Sequence, residues 1–288
     1  MRTTDSKNIA SADRVHQQVG LVFDRMNRQI TRVAKDRTPG NVHRLRTNSR
    51  RVEVLVAELS PESGNKRKLL KRLSKLRGKA GKVRDLDVQI AFLKELKVPD
   101  RQNHRAQLFD ALIKDQERQS KRLAKYVDNE QLRKLRKRLR KAEADTNLTG
   151  VDPLKLAFVR LPKPGQVTLT EIVLHACRIS AKHARYLAEL DPESPTAKRF
   201  VEELKKAQDD IGHWHDVLKL TERAEKLFGG VRQSSLVSAL QNITRARFRR
   251  ASSALQAALK AVTAIDAQHR HSSELKHQPA PASMRAAA

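Results

Sequence analysis

Apolar residues recur at intervals of three and four along most of the chain. Over residues 8–36 the rhythm is carried by Val15, Val19, Val22, Met26, Ile30 and Val33, which that spacing places on one face of an amphipathic helix. Pro39 and Gly40 end it. Leu45, Val52, Leu55, Val56 and Leu59 predict a second helix over about 41–59, and Pro61 and Gly64 punctuate the turn that follows. Leu69, Leu73, Leu76, Ala80 and Val83 predict a third over about 65–97, and Pro99 breaks the pattern. A fourth segment, 100–144, carries Leu108, Leu112, Leu123 and Leu132, with an interruption expected near Asp128 and Asn129. Residues 146–167 are poorer in charge and contain Gly150, Pro153, Pro162, Pro164 and Gly165; they predict a connector with a short helix near 153–160. Helical stretches return at about 168–190, 194–228 and 234–266. The tail, 266–288, is polar and then rich in Ala and Pro, and is expected to be disordered. Alternating β-branched runs between hairpin turns do not occur, so the fold class is all-α.

A polar pattern overlies the apolar one. His43, Arg46 and Arg50 stand at i, i+3 and i+7, and a helix turns about 100° per residue, so they share one stripe. That stripe lies roughly opposite the helix's own apolar face. It returns as His175, Arg178 and Lys182, 132 residues on (175 against 43). A second motif, Gly81-Lys82-Val83-Arg84-Asp85-Leu86, returns as Gly212-His213-Trp214-His215-Asp216-Val217, 131 residues on (212 against 81). Two motifs in one order at nearly one separation mark an internal duplication. The expected organisation is a single domain over 8–265, made of halves 8–145 and 168–265 joined by the connector 146–167. Each half has the size of a four-helix bundle. Duplicated bundles tend to pack about a pseudo-two-fold axis, which would bring the two cationic stripes together along a basic central groove or pore.

Charge narrows the partner. Sixty Lys and Arg stand against 32 Asp and Glu, a net charge of +28. Such an excess repels itself unless a polyanion offsets it. Aromatic residues make up 3%, too few for the stacking platforms of single-strand nucleic-acid binders. The single cysteine, Cys177, excludes an intrachain disulfide framework. No apolar run is long enough to span a bilayer and the N-terminus carries no signal-like core, so a soluble cytoplasmic protein without membrane contact is expected.

The pattern His-x-x-Arg-x-x-x-Arg/Lys followed by Gly-x-x-Arg-Asp-aliphatic-Asp, then both again in degenerate form, resembles the CHAD family, the conserved histidine α-helical domain. The resemblance covers about residues 8–265, and His175-x-x-Arg178-x-x-x-Lys182-x-x-Arg185-Tyr186 matches the family pattern closely. It implies two pseudo-symmetric four-helix bundles around a basic central cavity that binds inorganic polyphosphate. Some members stand beside a triphosphate-tunnel catalytic domain; that activity is not implied here. His183 and His215 depart from the residues common at their positions.

These strands converge on non-catalytic binding of inorganic polyphosphate, with recruitment to polyphosphate granules. Arg bonds two phosphate oxygens through its planar fork, while Lys serves as a mobile point charge. The expected contacts are His43, Arg46, Arg50, Arg51, Arg84, His175, Arg178, Lys182 and Arg185. Lys71, Lys75, Lys82, Lys205 and Lys206 would extend the track, although lysines on an exposed helix are ordinarily just solvated. Asp85 and Asp216 read as carboxylates that hold cations in place, and Gly81 and Gly212 as sites of close helix packing. Neither metal ligands at suitable spacing nor a cofactor motif is present. The alternative is nonspecific nucleic-acid binding, open to any surface this basic. A phosphoanhydride-cleaving enzyme would need metal-holding carboxylates, and only Asp85, Asp87 and Asp216 stand near the motifs. The oligomeric state is not legible.

Overall fold

The computed structural model describes the backbone of residues 2–275 except 99, 101, 164 and 166–168, and side chains between 13 and 271. The expected break at Pro99 and the tail residues 276–288 therefore lie outside the described residues. Within them the chain forms nine helices and no strand: α1 (Arg2–Lys35), α2 (Pro39–Leu59), α3 (Gly64–Glu95), α4 (His104–Tyr126), α5 (Asn129–Ala144), α6 (Pro153–Val159), α7 (Glu171–Ala188), α8 (Pro195–Phe228) and α9 (Ser235–Leu275). The fold is all-α.

Local chemistry sets the boundaries. Thr38, Ser63, Asp128, Asp152, Thr170 and Ser194 each accept a hydrogen bond from a first-turn N–H and so cap α2, α3 and α5 to α8. Proline follows the cap in α2, α6 and α8, where its missing N–H costs nothing. Gln29 Nε2 donates to the Asn41 carbonyl at 2.9 Å and fixes the α1–α2 turn. Asp128 ends the interruption expected in the fourth segment and starts α5. One expectation fails: α9 runs on to Leu275, so residues 266–275 of the supposed disordered tail are helical. Ile265 is still buried at the start of that stretch, and Arg270 bonds Asp266 one turn back, a local pairing that a search for apolar period does not register.

Shifted by 132 residues, α2 falls on α7 and α3 on α8 (39 on 171, 64 on 196). The broken pair α4 and α5 falls on the continuous α9, and α1 has only the short α6 and its flanks as a counterpart. The repeat is thus firm at its centre and uneven at its edges.

Four apolar clusters hold the arrangement. The first fills the α1–α2–α3–α5 bundle around Phe23, Met26, Leu45 and Leu73, all essentially inaccessible. The fourth packs α7, α8 and α9 around Trp214. The other two weld the halves together. Val54 of α2 is buried with Ala184 and Leu187 of α7 and Phe200 of α8. Leu86 and Leu93 of α3 are buried with Leu220 of α8 and Leu240 of α9. Each fully buried Leu stabilises by roughly 2 kcal/mol, so this junction holds α2 firmly against α7 and α3 against α8.

Candidate functional site

The junction places the two motif helices face to face. Apart from Val54, which packs against α7, the apolar residues of α2 point into a core of their own, and the cationic stripes are left between the two helices. His43, Arg46, Thr47 and Arg50 of α2 form one wall of a cleft, Lys182, Arg185 and Tyr186 of α7 a second, and Gln208, Asp209, Gly212, His213 and Asp216 of α8 the floor. The cleft encloses about 330 Å³. Arg178 lies behind this lining, only 8% exposed.

Cations outnumber their partners here. Arg46 reaches Asp85 at 3.8 Å, a long and half-exposed pair of little strength. Arg185 Nε lies 3.2 Å from Glu189 without hydrogen-bond alignment. Arg46 Nε and Arg178 Nε are buried and have no hydrogen-bond partner among the described residues. A buried donor left this way costs about 1–3 kcal/mol.

The crowding shifts the groups that can shed a proton. Burial pushes the Lys182 ammonium down from 10.5 to about 6, helped by the neighbouring Arg178, Arg50 and Arg46 charges. The same causes press Arg50 down to about 10, where it stays charged at neutral pH. Arginine keeps its proton under almost any surroundings, so Lys182 is the member of the cluster that yields. His43 is lowered by its partial burial and then by Arg84 and Arg46. His175 is lowered by burial and then by His215, whose ring stacks on it at 5.1 Å. Burial works against the charge of Asp216, but His215, at 3.8 Å, and Arg178 outweigh it and hold the carboxyl below its ordinary value.

Gly81 has a specific task. A Cβ there would stand 3.3 Å from Arg46 Nε, so the glycine makes room for the guanidinium rather than for a neighbouring backbone. Gly212 has nothing within 4 Å of where its Cβ would be, and the packing role expected for it is absent. It is an open patch of cleft floor.

Of the residues predicted to touch a polyanion, His43, Arg46, Arg50, Lys182 and Arg185 line this one cleft, with Arg178 directly behind. Arg84 opens instead into an adjoining cavity of about 650 Å³ with Arg247 and Arg250. His175 sits beyond the cleft, against His215. Three groups of the predicted residues lie apart from the cleft. Arg51 is held by Glu189 at 2.9 Å and lies over the Tyr186 ring, so its fork is already occupied. Lys71 and Lys75 face an outer groove, and Lys82 a third cavity beside Lys219. Lys205 and Lys206 are exposed on α8 outside the cleft, with Lys206 bonded to Glu203 at 2.7 Å. The single track drawn from helix spacing is therefore split, because a helix's exposed residues radiate over a wider arc than one neighbour covers. Arg247 is missing from the predicted set. It comes from α9, which carries no motif, and it sits over Phe92 at 5.4 Å. Among the described residues no three His, Cys, Asp or Glu side chains gather closely enough to hold a metal ion.

The comparisons with known proteins agree on the family and the fold. The family model for the CHAD domain matches residues 17–225. The crystal structure of the CHAD domain from the plant Ricinus communis superimposes with a TM-score of 0.56 at 17% identity, over 88% of this chain and 91% of that one. PptA from Streptomyces chartreusis superimposes with a TM-score of 0.61 at 13% identity, over 88% of this chain and 98% of that one. Among curated proteins none matches the sequence.

Proposed function

The chain belongs to the CHAD domain family, and on that premise we propose that its inter-half cleft binds inorganic polyphosphate without cleaving it. One observation carries the reading: His43, Arg46 and Arg50 of the first stripe meet Lys182 of the second, with Arg185, in a single cleft whose cations outnumber their partners. A polyphosphate supplies one charge and several acceptor oxygens per unit. It would offset the charge crowded around Arg46, Arg50 and Arg178 and restore the proton on Lys182. Asp85 faces the Arg46 fork and Asp216 the His215 ring, Asp209 is the other carboxylate of the lining, and among the described residues no three His, Cys, Asp or Glu gather to hold the metal that phosphoanhydride cleavage would need. Among the described residues no helix is long and apolar enough to cross a membrane. Cytoplasmic residence and recruitment to polyphosphate granules follow as part of the proposal.

The test is affinity for long-chain polyphosphate at physiological salt after Arg46, Arg50, Arg178 and Lys182 are changed together to Ala. Charge-assisted bonds contribute about 1.5–3 kcal/mol each, so the variant should bind at least about 100-fold more weakly. Because Arg178 is buried, the milder pair Arg46→Gln and Arg50→Gln is measured beside it, with helicity checked by circular dichroism. Wild-type affinity in both folded variants would remove the cleft from the account.

A further inference from the structure

The lysines that fall outside the cleft are not scattered. Lys68, Lys71 and Lys75 of α3 line an outer groove of about 580 Å³ with Lys125, Arg72 and Arg138. Its cations are nearly free of carboxylates. Lys68, Lys71, Lys75 and Lys125 make no ion pair among the described residues. The Arg72 fork is held by the Gln131 amide oxygen at 2.7 Å and that of Arg138 by Asn65 at 3.3 Å. Both guanidiniums are thus oriented without being neutralised. The acid in the lining, Asp128, spends its side chain capping α5, accepting from the Gln131 N–H at 2.7 Å. The groove exists because the chain breaks between α4 and α5. The second half has the uninterrupted α9 at the equivalent place, so the feature belongs to one half alone.

Between the groove and the cleft lies a series of neighbouring cavities that share lining residues. Lys125 is shared with a furrow along α4, and Arg118 is shared by that furrow and the cavity beside Lys82. Gln89 joins that cavity to the one beside Arg84, and His213 and Asp216 join the latter to the cleft. Lys68, Lys71, Lys75, Lys79 and Lys82 mark one stripe of α3 alongside this path, covering ~21 Å of helix axis.

We infer that the outer groove is a second contact site for the same polyphosphate chain, reached from the cleft along this furrow, so that the protein favours long chains over short ones. The inference rests on the proposed function of the cleft. Lysines on flexible stems suit a mobile chain of repeating charge. The groove's one aromatic ring, Tyr126, lies beneath Lys79 at 5.3 Å, and a single ring is no track for stacked bases. A second contact on one chain acts at high effective concentration and raises apparent affinity on the order of 100-fold or more.

The experiment compares tripolyphosphate, long-chain polyphosphate and duplex DNA on three proteins: wild type, the groove variant Lys71→Gln/Lys75→Gln/Lys125→Gln, and the cleft variant Arg46→Gln/Arg50→Gln. The groove side chains are solvent-facing, and circular dichroism confirms that the variant is folded. The groove variant should lose on the order of 100-fold for the long chain and keep its affinity for tripolyphosphate; the cleft variant should weaken for both. Wild-type binding of the long chain by the groove variant overturns the inference while leaving the cleft standing. Undiminished binding of both ligands by the cleft variant removes the cleft reading, and the inference with it. A groove variant that loses only duplex DNA makes the groove a nucleic-acid contact, which also overturns the inference.

Discussion

Lys182 lets the cost of an empty polyanion cleft be measured without any ligand. Its ammonium falls from 10.5 to about 6 in the folded protein, chiefly through burial and then through Arg178, Arg50 and Arg46. The folded-state value is depressed, so between pH 6 and pH 10.5 the unfolded chain binds the extra proton. Stability contributed by this group must therefore rise with pH across that window, at about 1.4 kcal/mol per pH unit. Replacing Lys182 by Met keeps most of the stem and removes the charge. At pH 7.5 the variant should be more stable than the wild type by about 2–4 kcal/mol, the lower figure allowing for relaxation around the cluster. The gap should widen toward pH 6.5 and narrow toward pH 8.5. The assay is urea unfolding, since urea adds no screening charge, in a low-salt buffer free of phosphate and sulfate. A variant no more stable than the wild type at pH 7.5, or a gap that does not change between pH 6.5 and pH 8.5, would refute the reasoning. The same variant should bind polyphosphate more weakly. A substitution that stabilises the protein while impairing the ligand is what a cleft of like charges entails.

Other expectations follow from the same geometry. Binding should take up protons, because a polyanion raises the lowered values of Lys182, His43 and His175; affinity should increase as pH falls from 8 to 6, with the proton count read from calorimetry in two buffers of different ionisation heat. Gly81→Ala should displace Arg46 and weaken polyphosphate binding several-fold, whereas Gly212→Ala, which meets nothing within 4 Å, should stabilise α8 by about 0.5–1 kcal/mol in thermal unfolding. Duplex DNA at equal phosphate concentration and physiological salt should leave polyphosphate largely bound; ready displacement would favour the nucleic-acid reading.

Much of this was open to reading in the amino-acid sequence, and the reasons are physical. The apolar period located the helices because each buries one continuous face, as Val15 to Val33 do in α1. The duplicated stripe pointed to the cleft because a cationic face opposite a helix's own core must meet either solvent or a partner. The fate of each cation was not legible. Arg51 and Arg50 are neighbours in sequence, yet one is paired with Glu189, 138 residues away, and the other faces the cleft. Lys71 and Lys82 share a helical stripe yet open into different cavities, because α3 passes first α5 and then α8. Arg247 gave no signal at all, since its place depends on how α9 packs over Phe92.

The most direct test of the central claim is a crystal structure with a short polyphosphate bound. Phosphate density between α2 and α7, within hydrogen-bond reach of Arg46, Arg50 and Lys182, is the predicted result. Phosphate confined to the outer α3 lysines, with the cleft holding none, would contradict it.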